Sequence, residues 1–382
     1  MKNQRPRLSQ SCIDGIIIML ASHIEIAYKP DLDRCLERVY AWYSGELLDR
    51  PPVRFSRTNA EYDAVNDSSR RWSSLRDRWF DTEYQLEKFI TESESKRFLA
   101  ETFPVFWPNL GPHVFVAGYG CPSVFGEITA WADPILDEIP GMDSFPVFDW
   151  ENEYFKKLDE LTDLALEKAG GRFLVGYTDI HTGMDWCAAL RGTEPLLTDF
   201  YDNPELLRPF CGAYLDDFFR FFDFFDAKLK ARGQLSVTWM NIPSPGKLHI
   251  PSCDFGTMIS GDLFEEFALP NLIRECSHMD HNIFHMDGKG VARHLDMILT
   301  LPKLNAIQWV QGVGDDRPIL QWIPLIKKIQ AAGKGVVVDL ALNELEPFMG
   351  EVSPEGIYLC VPTETQEEEE AILRRLTQWK KP

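Results

Sequence analysis

Apolar residues in this chain gather into short β-rich runs instead of long amphipathic stripes. Eight runs stand out: Val53–Ser56, Val114–Ala117, Phe173–Tyr177, Leu235–Met240, Asn282–Met286, Ala306–Val310, Gly335–Asp339 and Gly356–Val361. In the second half they recur at intervals of roughly 20–30 residues, with helical patterning between them. Alternation of strand and helix predicts a parallel sheet with helices packed outside it. Eight such units predict an α/β fold of the (β/α)8 TIM barrel type, whose usual length of about 250 residues grows with insertions. No GxGxxG follows an early strand, which weakens the alternative of a doubly wound open sheet.

Helix boundaries are legible at several points. Asn203-Pro204 reads as an N-cap followed by proline at the first helical position, opening a helix that runs to about Arg232. Within it, Phe218, Phe221, Phe222 and Phe225 share one face at helical spacing, the pattern of core packing. Phe219 and Phe224 widen that face, so a homodimer interface is a second expectation. Thr365 and Glu368 form a capping box for the last helix, and Glu367–Glu370 sits in its first turn, where negative charge suits the helix dipole. Pro270, Pro302 and Pro324 interrupt or bound other helical stretches. Residues 1–27 read as an N-terminal extension, flexible or helical, ahead of a single barrel domain over residues 28–382.

Composition narrows the class. With 382 residues, 45% hydrophobic and 26% charged, the chain reads as a soluble globular protein. A formal net charge of −20 argues against nucleic acid or an anionic membrane surface as a partner. The apolar run Ile16–Leu20 is far short of the roughly 20 residues that span a bilayer. The 8 cysteines have no repeating spacing and no CxxC pair, which suits free thiols in a reducing, cytoplasmic compartment.

Candidate chemistry collects where barrel strands end. Active sites of such barrels lie at the C-terminal ends of the strands. Asp179 and His181 follow the third run and Asn241 the fourth. His285 and Asp287 end the fifth, Gln311 follows the sixth, Asp339 ends the seventh, and Cys360 ends the eighth. His285 and Asp287 are two apart, so in a strand they emerge on one face. Imidazole, carboxylate and thiolate are zinc-binding groups, so His285, Asp287 and Cys360 are the candidate metal ligands, if their strands are neighbours. Cys360 also reads as a buried apolar filler.

The connection from Asn241 to Ser260 is long for a compact domain and follows a strand, which marks it as functional. Its Ser252 and Asp254 are candidates for substrate contact, with Asp254 equally readable as a cap on the turn at Gly256. His249 and Cys253 form a competing, loop-borne metal pair. Trp186 and Trp239 are expected to supply flat apolar walls for a ligand. His278 and His281 lie at the other end of the barrel and read as solvated surface residues.

Three stretches resemble the uroporphyrinogen decarboxylase superfamily, which includes zinc-dependent and corrinoid-linked methyltransferases. They are Ser252-Cys253-Asp254-Phe255-Gly256-Thr257-Met258-Ile259-Ser260, Phe284-His285-Met286-Asp287-Gly288 and Leu359-Cys360-Val361-Pro362. Val175–Glu205 is similar as well, and the match covers about the last 210 residues. The resemblance implies a (β/α)8 barrel, ligation by His285, Asp287 and Cys360, with Gln311 nearby, and a separate corrinoid protein as partner. The N-terminal Arg-Gln-Ala-Gly-Arg motif of the decarboxylases is absent, and Arg54 and Arg57 are partial substitutes at best. Asp287 stands where the methyltransferases carry a cysteine, a harder ligand for a soft metal.

Three functions follow as expectations. The first is a zinc-dependent methyltransferase moving a methyl group between a small substrate and a corrinoid, folate or thiol acceptor. The second is metal-free acid–base chemistry on a carboxylated substrate, most simply decarboxylation, with Asp287 and Asp254 as catalytic groups. It gains support only if Arg54, Arg57, Lys247 and Arg191 share a cavity. The third is an inactive barrel that binds a ligand or a partner.

Overall fold

The computed structural model describes residues 24–57 and 70–379. The apolar run Ile16–Leu20 and most of the expected extension over residues 1–27 lie outside the described residues.

Ten strands occur among the described residues: β1 Val53–Arg57, β2 Val105–Phe106, β3 Ser123–Phe125, β4 Ala130–Ala132, β5 Leu174–Val175, β6 Leu248–His249, β7 His281–Asp287, β8 Leu304–Val310, β9 Gly335–Asp339 and β10 Ile357–Thr363. Six of them make a parallel sheet in the order β1-β10-β9-β8-β7-β6. A second parallel pair joins β2 to β5, and β3–β4 is a separate antiparallel hairpin. Backbone bonds continue across the gaps between sheets. Glu101 N donates to Val53 O at 2.9 Å, and Tyr177 N donates to Val237 O at 2.9 Å. The result is a mixed α/β half-barrel of parallel strands with helices outside it.

Two of the eight expected strands differ. Val114–Ala117 is a short helix, and the strand of that unit is β2. Glycines at 111, 118 and 120 bracket the run, and its N–H groups close locally, as Gly118 N does onto Phe115 O at 3.1 Å. β2 hides between Pro104 and Trp107-Pro108, yet its ladder works because the Pro104 and Phe106 carbonyls accept from Leu174 N and Gly176 N. Leu235–Met240 is not a regular strand; its one β-bridge among the described residues joins Ser236 to Ser244.

The strands are buried on both faces, which is why they read as near-continuous apolar runs. Alternate residues divide between two cores. Phe284, Met286, Ile307, Trp309, Val336, Val338, Leu359 and Val361 pack against the helices. Ile283, Ala306, Val337, Tyr358 and Cys360 face the interior with Val105, Leu174 and Val237. The Leu32–Tyr43 helix stops the N-terminal end of that interior. Its Trp42 ring lies 5.4 Å from Tyr358 and its Nε1 donates to Gly356 O at 2.8 Å.

That plug corrects the expectation for His281. His281 is stacked 4.4 Å from Tyr43 and bonds Ser244 Oγ at 2.8 Å, so it is a packed residue, not a solvated one. His278 stacks on Phe219 and bonds Asp223 at 2.9 Å.

The phenylalanine helix also differs in extent. It consists of Pro204–Phe210 and Leu215–Lys230, broken between them. Pro209 removes one amide from the ladder, and Asn271 Nδ2 takes the Cys211 carbonyl at 2.9 Å. The Asn203 side chain makes no capping bond, because Nδ2 is turned to Asp199 at 3.1 Å. Phe218, Phe221, Phe222 and Phe225 are buried, and the Thr365–Glu368 capping box is formed.

Gly176 sits at the seam between β5 and the Leu235–Met240 run. A Cβ there would lie 2.4 Å from Val237 O. Gly176→Ala is expected to cost about 1–3 kcal/mol, read as a lower urea midpoint at unchanged slope.

Candidate active site

Three side chains converge at the C-terminal end of the sheet. His285 and Asp287 leave β7 on its interior face, two residues apart, and Asp254 arrives from the loop after β6. One donor atom from each lies within 4.8 Å of the others. Among the described residues this is the one group of three or more metal-ligating side chains that meets so closely.

The loop is brought to β7 by backbone pairing and by one buried carboxylate. His285 N donates to Pro251 O at 2.8 Å, and Ser252 forms a parallel bridge with His285. Asp185, in the first turn of the Gly183–Arg191 helix, accepts from Asp254 N at 3.0 Å, Phe255 N at 2.8 Å and Ser252 Oγ at 3.2 Å. The start of that helix is anchored in turn. Thr182 Oγ1 donates to the fully buried Glu275 at 3.0 Å, and Tyr214 donates to the same carboxylate.

The imidazole of His285 is oriented from behind. Its Nδ1 lies 2.7 Å from Gln308 Oε1, the cross-strand neighbour on β8. With that oxygen accepting, Nδ1 carries the proton and Nε2 keeps its lone pair, the arrangement a metal-bound histidine needs. Trp239 stands edge-on to the same ring at 5.5 Å.

The charges around this point pull pKa values apart. Burial, then Asp185 and more weakly Asp287, push the Asp254 carboxyl up to about 6 against the opposing fields of His285 and His181. Burial would lower His181, but Asp179 at 3.3 Å, with Asp185 and Asp254 behind it, raises it to about 9. His113, whose ring lies 5.3 Å from His181, is driven down to about 4 by burial and by that neighbour. At neutral pH one imidazole of the pair is therefore charged and the other is not.

Two cavities open here. One of about 530 Å³ is lined by His113, Trp131, His181, Asp185 and Asp254, among others. The second, of about 300 Å³, is lined by Trp79, Trp107, Asp179 and Trp239, and shares Pro112 and Thr129 with the first. The turn of the β3–β4 hairpin forms a wall of both, and its second strand a wall of the larger.

The expected residues thus divide. Asp179, His181, Trp239, Ser252, Asp254, His285 and Asp287 gather at this end. Asn241 adopts a left-handed φ of 55° with its Oδ1 buried and unpaired, and lines neither cavity. Gln311 donates to the Asp339 carbonyl at 2.9 Å, and the Asp339 side chain is exposed at the end of β9.

Trp186 is no cavity wall. It is fully buried among Tyr119, Phe145, Phe210 and Tyr214, because its place on the Gly183–Arg191 helix turns it into the helix layer. Cys360 lies outside the close group. Its register partners are Arg54 and Asp339, and β8 and β9 separate β10 from β7. Burial pushes its thiol up to about 12, with Arg54 opposing. His249 and Cys253 are both turned into the core, His249 against Phe218 and 3.4 Å from Glu275.

Asp185 follows the third run and lines the larger cavity, as its place in the sequence allows, whereas Gln308, His113, Trp79 and Trp107 are site residues that sequence reasoning passed over. Counting by twos from the inward Ala306 would have reached Gln308. Recognising β2 would have led to Trp107 and His113, which follow its C-terminal end.

No protein-family model matches the chain, and no curated protein matches it. Among solved structures, a methyltransferase from Methanosarcina mazei is similar. Its TM-score is 0.59 at 13% identity, over 92% of this chain and 98% of that one. The likeness is one of fold, spread across nearly all of both chains.

Asp185→Ala strands two buried amides and frees the Asp254 loop. It is expected to cost roughly 2–4 kcal/mol in urea unfolding. His181 has a folded pKa raised from 6.5 to about 9, so its contribution to stability is complete below pH 6.5 and is lost as pH rises through 9. His181→Gln should flatten that decline, which amounts to about 1–3 kcal/mol. Urea midpoints measured from pH 6 to 9.5 check it.

Proposed function

We propose that the chain is a metal-dependent methyltransferase with the uroporphyrinogen decarboxylase-like architecture. In this reading β1, β2, β5, the Leu235–Met240 run together with β6, and then β7, β8, β9 and β10 form the eight units of the (β/α)8 ring. The observation that carries the proposal is the meeting of Asp254, His285 and Asp287 within 4.8 Å beside two ligand-sized cavities. Similarity of fold to the Methanosarcina mazei methyltransferase supports the reaction class.

The residues fit a divalent metal. Asp254 Oδ1 is buried with no hydrogen-bond partner, and the Nδ1–Gln308 bond leaves His285 Nε2 free to ligate. One imidazole and two carboxylates suit zinc, and suit iron(II) or manganese as well, since no thiolate joins the group. A metal there would supply Lewis acidity toward the substrate or its acceptor. The protein's own part is to hold the ligands, to keep charged His181 and neutral His113 at the rim, and to orient the substrate in the adjoining cavities. The acceptor in this proposal is a thiol, a folate or a corrinoid carried by a separate protein.

One observation favours metal-free acid–base chemistry as the second reading. Asp254, held up to about 6, can exchange a proton near neutral pH. The basic residues a polycarboxylate would require do not gather, however. Lys247 pairs with Asp223 at 2.6 Å, Arg191 with Asp199 at 2.8 Å, and Arg54 lies near Cys360 and Asp339, while the Arg57 side chain lies outside what the structure describes.

Metal analysis of untagged protein decides between them. Near-stoichiometric zinc, iron or manganese is expected, lost in His285→Ala and Asp254→Asn and weakened at least tenfold in Gln308→Leu. Cys360→Ala is expected to retain the metal. An unmodified protein that takes up none of these metals when they are supplied would sink the proposal and leave the acid–base reading or plain binding.

A further inference from the structure

The smaller cavity has an unusual lining for its size of about 300 Å³. Three indoles, Trp79, Trp107 and Trp239, form walls, and Asp179 is its one charged residue. We infer that this cavity binds a methylated, positively charged nitrogen, a quaternary ammonium head group. The inference rests on the methyltransferase reading and names its substrate class.

The chemistry of the walls selects that group. Indole faces attract a cation through the ring quadrupole, and quaternary ammonium ions are the ligands that aromatic cages take best. A primary ammonium would need three hydrogen-bond acceptors to replace its water. Among the lining side chains only Asp179, Asn109 and Thr129 carry acceptor oxygens. Asn109 Oδ1 already accepts from Gly111 N at 2.8 Å, and one Asp179 oxygen lies 3.3 Å from His181 Nε2, so three uncommitted acceptors are lacking. A methylated nitrogen donates no hydrogen bond and loses little hydration on entering.

Charge points the same way. Asp179, which lies 3.3 Å from His181, lines the cavity, and no lysine or arginine does.

Two of the walls are held in place. Trp79 Nε1 donates to Gly126 O at 2.9 Å, fixing the ring to the turn of the β3–β4 hairpin. Trp239 is set edge-on to His285 at 5.5 Å. A head group among the indoles would thus present a methyl toward the Asp254–His285–Asp287 group. An uncharged methyl ether could use the same walls, but would gain nothing from Asp179.

Choline and its uncharged isostere 3,3-dimethyl-1-butanol test the proposal by titration calorimetry on the purified full chain. No acceptor is present, so the result is independent of turnover. Saturable choline binding is expected, about tenfold or more tighter than the isostere. Trp107→Leu should weaken choline about tenfold, Trp107→Phe only about threefold, and Asp179→Asn several-fold. Circular dichroism checks that each variant is folded. Equal affinity for the two ligands, no saturable choline binding, or parent-like binding by Trp107→Leu would overturn it. A bound metal together with any of these results would discard the substrate class while leaving the methyltransferase reading standing. Choline binding without any metal would do the reverse, overturning the mechanism and keeping the site.

Discussion

Burial of the parallel strands on both faces is the constraint from which the rest of the molecule follows. A strand covered by helices on one side and closed in by its neighbours on the other has no place for polar side chains along its middle. Polar groups can enter only where the interior opens. The N-terminal opening is filled by the Leu32–Tyr43 helix and its Trp42 and Tyr43 rings. Reactive groups that share the interior face of β7 with Ile283 therefore appear at its other end, as His285 and Asp287.

The site is built from two sources of unequal rigidity. β7 and β8 fix His285 and Gln308 by register, a backbone property that small sequence changes leave alone. Asp254 depends on a loop, and the loop depends on the Asp185 carboxylate, which takes two of its amides and one hydroxyl. Asp185 stands on a helix tied down by the buried Glu275–Thr182 contact. A chain of charge-assisted bonds thus reaches from the outer helix layer to the Asp254–His285–Asp287 group. Burial and Asp185 also push the Asp254 carboxyl up to about 6, and Asp185 adds to Asp179 in raising His181, so the scaffold of the loop contributes to the electrostatics of the cavity.

Much of this was legible in the chain before any tertiary structure. The strands β7 to β10 announce themselves by largely apolar runs, and His285 and Asp287 by their spacing at the end of one. The Thr365 capping box is a local device and forms as local reasoning predicts. Reading failed where local and distant forces disagreed. The run Val114–Ala117 has strand-like residues but glycines close it into a helical turn, while β2 hides between prolines. The phenylalanine helix breaks because Asn271, distant in sequence, claims the Cys211 carbonyl.

The sequence by itself determined which residues alternate, which runs are strands in the second half, and which reactive side chains leave them at the same end. Those properties depend on neighbours one to four residues away, and backbone geometry converts them directly into faces and ends. Tertiary structure alone decided the partners. It placed Asp254 with His285 and Asp287, left Cys360 beside Arg54 and Asp339, sank Trp186 into the helix layer, and gathered Trp79, Trp107 and Trp239 around one cavity. Such meetings depend on strand order and loop path, set by the summed packing of the whole core, and no window of a few residues contains that sum.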